Sequence, residues 1–86
     1  MLRVRINSTE YNYLCQSSFL NDKHKKLLLA AQKDGDEYLI EVSDDQADEI
    51  RDLCGEHLQV AGFDEHYELS SEGRILESLV DKFFYA

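Results

Sequence analysis

The stretch Glu37-Tyr38-Leu39-Ile40-Glu41-Val42 lies between a turn signal, Asp34-Gly35, and a helix cap, Ser43, with Gln46 at the capping-box position. It reads as a strand that cannot be extended at either end. One other segment has strand character: Leu2-Arg3-Val4-Arg5-Ile6 alternates apolar and charged residues, with Leu2, Val4 and Ile6 inward. Two short strands cannot build a large sheet, so helices must supply most of the core.

The helix signals are distinct. Asn7 stands as an N-cap with Glu10 three residues on, and Tyr11, Leu14, Cys15 and Ser18 share one face of the helix that follows. Ser43 caps a helix to about Val60, in which Gly55 is a weak point. Ser70 or Ser71 caps a last helix to about Phe84, with a broad stripe of Ile75, Leu76, Leu79, Val80 and Phe83. Residues 21–33 read two ways. Asn21 or Asp22 caps a helix through Lys33, with Gly35 just past its end; or Leu27, Leu29 and Ala31 alternate into a hairpin through Asp34-Gly35. The lysines and the alanine pair favour the helix. The expected fold is α+β in one domain, residues 1–86. Its sheet is two-stranded, or three-stranded if the hairpin forms, and packs against three to four helices in the order β-α-(α)-β-α-α.

A chain of 86 residues is short enough to bury only about 60–65% of its unfolded surface. Monomer and weak homodimer both stay open, because small domains often gain stability by self-association. Cys15 and Cys54 are too few for a disulfide scaffold, no apolar leader opens the chain, and the longest apolar run is Leu27–Ala31. These features point to a cytoplasmic protein with reduced thiols and no membrane association.

The net charge is −9, but it is unevenly spread. Residues 1–33 hold six of the nine Lys and Arg, and residues 34–86 hold sixteen of the eighteen acids. An acidic whole disfavours direct nucleic-acid binding, which needs a basic face. Nine acids fall in the nineteen residues from Asp34 to Asp52. An EF-hand cannot account for them. With Asp34 and Asp36 at its first and third positions, Tyr38 takes the fifth and Leu39 the sixth, where the sharp turn needs glycine. On a helical wheel, Ala47, Ile50, Leu53, Cys54, Leu58 and Ala61 make one arc, and Asp44, Asp45, Asp48, Glu49, Asp52 and Glu56 make another. The acidic arc contains four like-charge i,i+4 pairs, which together cost about 1–2 kcal/mol. It has the shape and sign of a docking face for a basic protein partner, and equally of a solvated face that keeps a small domain soluble.

Catalytic and metal motifs are sparse. Cys54, His57 and His66 could in principle contribute to a zinc site, but paired Cys-x-x-Cys and His-x₃₋₅-His spacings are absent. Cys54 reads instead as a small buried hydrophobe whose thiol pKa is raised, and His24, within a lysine run, as solvated. The four glycines are isolated, so no phosphate-cradling loop can be drawn. Neither catalytic residues nor a cofactor follow from these spacings. Phe83-Phe84-Tyr85 is expected to fold back onto the sheet or to offer an aromatic contact patch.

The run ADEIRDLCGEHLQVAGFDEHYELSSEGRILESLVDKFF resembles small bacterial cytosolic proteins of uncharacterised function, over about residues 37–84. The resemblance implies an accessory role and carries over no site residue. The expected function is non-enzymatic protein–protein contact through the acidic arc. The alternatives are a nucleic-acid-mimicking inhibitor, or a small metal or thiol domain using Cys54, His57 and His66.

Overall fold

The computed structural model of the protein describes residues 2–84. The elements are β1 (Leu2–Asn7), α1 (Ser8–Gln16), α2 (Asp22–Leu29), β2 (Gln32–Asp34), β3 (Glu37–Val42), α3 (Asp44–Ala61) and α4 (Ser71–Phe84). The strands form one antiparallel sheet in the order β1-β3-β2. Four helices accompany it, as the α+β expectation requires. Among the described residues, no helix is long and apolar enough to cross a membrane.

Residues 21–33 take part of each sequence reading: the helix forms and so does the Asp34-Gly35 hairpin turn, but Leu27 and Leu29 belong to the helix and not to the strand that pairs with β3. Asn21 caps α2 by accepting the His24 N–H at 2.9 Å. The helix ends at Leu29, not Lys33, and Gln32–Asp34 becomes a short edge strand. Gly35, expected to follow a helix end, instead sits in the two-residue loop between β2 and β3 with φ 63. That left-handed conformation is cheap only for glycine, so the turn overrides the helical preference just before it.

Val4 and Ile6 of β1 face the same way as Ile40 and Val42 of β3, and all four are fully buried. Leu14, Leu28, Ile50, Cys54, Leu76, Leu79 and Phe83 complete the core from the helices. Arg3, Arg5 and Glu41 stand on the other face of the sheet, in solvent. Arg3 lies 3.7 Å from Glu41, and Arg5 reaches Asp34 at 2.9 Å and Glu37 at 3.4 Å. Among the described residues, the sheet is therefore covered on one face only.

Two local devices hold α1 and α2 in place. The last turn of α1 contains no basic residue, but Lys25 of α2 donates to the carbonyls of Cys15 and Ser17 at 2.6 and 2.7 Å. A cation at the negative end of a helix dipole is favourable. Tyr11 stacks on Tyr38 of β3 with centroids 3.7 Å apart, and its hydroxyl donates to the Leu28 carbonyl at 2.8 Å.

The capping box of α1 reaches beyond its own helix. Asn7 Oδ1 accepts the Glu10 N–H, and Glu10 Oε1 accepts the Asn7 N–H, each at 2.8 Å. Glu10 is only 2% exposed, and α4 supplies its remaining partners. Lys82 Nζ donates to Oε1 and Ser78 Oγ to Oε2, both at 2.5 Å. Burial alone pushes the Glu10 carboxyl up. The hydrogen bonds from Lys82, Ser78 and the Asn7 N–H, with the Lys82 charge, outweigh burial and hold it below the ordinary carboxylate range. A depressed carboxyl contributes stability above its unfolded value, about 4.3 for glutamate, and loses it as pH falls through the folded value. Lys82→Met should destabilise the fold by about 3 kcal/mol at neutral pH, because it leaves a buried carboxylate without its cation. Urea titration across pH checks this: the deficit should narrow in acid as Glu10 protonates.

The glycines of the α3–α4 unit differ sharply. A Cβ at Gly73 would collide with the Gly62 carbonyl, so the start of α4 can lie against the end of α3 only without a side chain. A Cβ at Gly55 would meet nothing within 4 Å. Gly55→Ala should therefore stabilise by about 0.5–1 kcal/mol through backbone entropy. Gly73→Ala should lower the melting temperature. Thermal unfolding of the two variants side by side reads both effects.

Candidate functional site

The acidic helix forms where its cap places it. The Ser43 side chain accepts the Gln46 N–H at 3.1 Å, and the Gln46 side chain accepts the Ser43 N–H at 2.8 Å. Asp44 and Asp45 fall in the first turn, where the helix dipole favours negative charge. Ala47, Ile50 and Cys54 are buried, and Leu53, Leu58 and Ala61 pack half-buried beside them. Asp44, Asp45, Asp48, Glu49, Asp52 and Glu56 are all exposed on the opposite side.

These six carboxylates are not equivalent. Arg51 reaches Asp48 at 3.4 Å and Asp52 at 3.6 Å. The same guanidinium lies 5.4 Å from the Phe84 ring centroid, a cation–π arrangement. Glu49 Oε2 is 2.9 Å from His24 Nε2. Asp44, Asp45 and Glu56 meet no hydrogen-bond or ion-pair partner among the described residues. The like-charge pairs inferred from the sequence stand at i,i+4 on a continuous helix, so their cost of about 1–2 kcal/mol is carried by the folded chain. Exposed pairs such as those of Arg51 return only about 0.2–1 kcal/mol each.

His24 corrects a sequence expectation. Instead of being solvated, it is 2% exposed. Lys23 and Lys26 occupy the outer side of α2 and Lys25 turns to the end of α1, while His24 and Leu28, one turn apart, turn inward together. Its Nδ1 has no partner among the described residues.

The residues proposed for a zinc site are not brought together. Cys54 is fully buried in the α3–α4 core. Burial raises its thiol pKa to about 12, which opposes nucleophilic chemistry. His66 is exposed on the loop between α3 and α4, beside Glu65. Among the described residues, no group of three or more His, Cys, Asp or Glu could hold a metal ion.

His57 joins a different cluster, which the sequence reading missed. Its Nε2 lies 3.2 Å from Glu72 Oε2, and the same oxygen accepts the Tyr13 hydroxyl at 2.5 Å. The imidazole stacks on Phe19 with centroids 4.8 Å apart. Tyr13, Glu72 and His57 thus tie α1, α4 and α3 together. With Gln16, Ser17, Ser18 and Phe19 they line an open cleft of about 260 Å³. Tyr13, Phe19, His57 and Glu72 are spread from position 13 to position 72, so no spacing rule could have assembled them.

In the loop after α3, Asp64 Oδ1 accepts the N–H groups of His66 and Glu68 at 2.8 and 3.1 Å. Tyr67 is held there at φ 62 with 89% of its surface exposed. Of the expected aromatic terminus, Phe83 is buried and Phe84 lies beneath Arg51. Tyr85 lies outside the described residues.

Comparison with protein-family models, with curated proteins and with solved structures returned no match.

Burial pushes the Tyr13 phenol well above the ordinary tyrosine value of about 10, and the hydrogen bond to Glu72 and its charge push the same way. A raised pKa means stability that is complete below the unfolded value and declines as pH rises toward the folded one. An alkaline absorbance titration should show part of the phenol signal appearing late. Tyr13→Phe should remove the latest step. A titration in which all phenols ionise together near pH 10 would contradict the arrangement.

Proposed function

We propose that this protein acts without catalysis, by protein–protein contact, and that the outer face of α3 is the surface it offers to a basic partner. One observation carries the reading. Six carboxylates stand exposed on one face of a single well-capped helix, and a single arginine reaches that face. The fold tolerates the resulting repulsion although Lys or Arg at any of those positions would relieve it.

The structure divides the face into two parts. Asp48, Glu49 and Asp52 already have cationic or imidazole neighbours within the fold. Asp44, Asp45 and Glu56 are the carboxylates free to meet an incoming cation, with Asp44 and Asp45 at the helix start and Glu56 further along. Charges in such an arrangement act mainly on association rate and on choice of partner, and add little raw affinity. The buried, raised-pKa thiol and the dispersal of Cys54, His57 and His66 favour this reading over a thiol or metal chemistry.

The test is affinity capture followed by direct titration of the recovered partner. Asp44→Lys, Asp45→Lys and Glu56→Lys together should abolish capture. Raising ionic strength from about 0.01 M to about 1 M should do the same, since the screening length falls from about 30 Å to about 3 Å. Recovery of every partner by the triple variant would overturn the proposal. Competition of the recovered partner by DNA or RNA would instead favour nucleic-acid mimicry.

A further inference from the structure

The sheet has an open edge at β1. Among the described residues, this strand pairs with β3 alone. The residue after it, Ser8, donates its backbone N–H to the Asp36 carbonyl at 3.1 Å, and that pair continues the β1–β3 register. Backbone groups alternate sides along a strand. Leu2, Val4 and Ile6 therefore aim their N–H and C=O groups at β3, while Arg3, Arg5 and Asn7 aim theirs away. The Asn7 N–H is already taken by Glu10. The N–H and C=O groups of Arg3 and Arg5 meet no partner among the described residues.

We propose that β1 accepts an extended acidic segment of another protein as a fourth strand. Backbone hydrogen bonds to Arg3 and Arg5 supply the docking, and side chains supply the selection. Residues directly opposite each other in a ladder share one face of the sheet. A peptide residue facing Arg3 or Arg5 therefore stands beside a guanidinium on the open, solvent face. Arg5 engages Asp34 and Glu37 through Nη1, so Nε and Nη2 are left to donate. Among the described residues, Arg3 has only the 3.7 Å approach to Glu41. Acids already flank these arginines on the β3 side, and an acidic strand on the other side would complete an acid–base–acid pattern across the sheet. The peptide residue between the two acids turns to the inner face, toward α4. Further along, at the α1 end of the strand, a cleft of about 180 Å³ is lined by Asn7, Thr9, Glu10, Arg74, Ile75 and Ser78. The motif that fits is acid, apolar, acid in extended conformation.

A second copy of the chain does not fit. The residues of β1 with free backbone groups are the arginines, so an antiparallel β1–β1 pair sets Arg3 and Arg5 against the same residues of the partner. Like charges directly opposite are destabilising. The arginines thus exclude self-pairing while they select an acidic strand. The inference goes beyond the α3 reading and does not depend on it: the two surfaces differ in charge and in the kind of segment they accept.

The experiment uses the full chain and two short synthetic peptides, one alternating Glu and Val and one alternating Lys and Val. The Glu–Val peptide should bind, protect the Arg3 and Arg5 amides from hydrogen exchange and shift their NMR signals. The Lys–Val peptide should do neither. Arg3→Gln with Arg5→Gln should weaken Glu–Val binding by about tenfold or more. Arg3→Pro removes an edge-facing N–H and leaves the β3 ladder intact, so it should weaken binding in a chain that still folds. Any of four outcomes overturns the proposal: no binding of the Glu–Val peptide, equal binding of both peptides, amide protection away from β1, or self-association of the chain through β1.

Discussion

The buried carboxylate of Glu10 is the point on which the rest of the molecule depends. It closes the capping box that turns β1 into α1, and it receives Lys82 and Ser78 from α4. One side chain therefore joins the first strand, the first helix and the last helix. The core around it is apolar, so this charge is tolerated only because its oxygens have three donors. The position of α4 under β1 follows from that requirement as much as from the burial of Leu76, Leu79 and Phe83.

The parts of the fold that depend on neighbours in sequence were legible. Both capping boxes, at Asn7 and Ser43, are present, and the apolar stripes of α3 and α4 face the core as their spacing required. Legibility failed where two local signals competed. The lysines and alanines of residues 23–31 favour helix, and Asp34-Gly35 favours a turn; the chain obeys both by stopping α2 at Leu29. It failed again where partners are distant in sequence. Glu10 could be read as a cap, but its burial depends on Lys82, 72 positions away. His24 was misread because its charged neighbours were weighed as a run and not placed around a helix. Tyr13, His57 and Glu72 have nothing in common until the fold packs their three helices.

Charge is sorted by face. The solvent side of the sheet carries the arginines of β1 beside acids of β2 and β3. The outer side of α3 is acidic, with Arg51 beside Asp48 and Asp52 and His24 beside Glu49. The net charge of −9 is therefore a poor guide to what any single surface attracts. A local field within a screening length decides an encounter, and two faces of one small domain can differ in sign.

The 72-residue separation between Glu10 and Lys82 also bears on how the chain is made. The β2–β3 hairpin and the paired helices α1 and α2 involve near neighbours and can form early. The β1–β3 ladder and the docking of α4 must close long loops first. Until α4 has been synthesised, Glu10 lacks Ser78 and Lys82, and Val4, Ile6, Ile40 and Val42 are left uncovered. Such a species is a substrate for chaperones and proteases. A chain cut before α4 should therefore fail to hold the sheet and α1 together, because the helix supplies both the lid over the apolar face and the partners of Glu10.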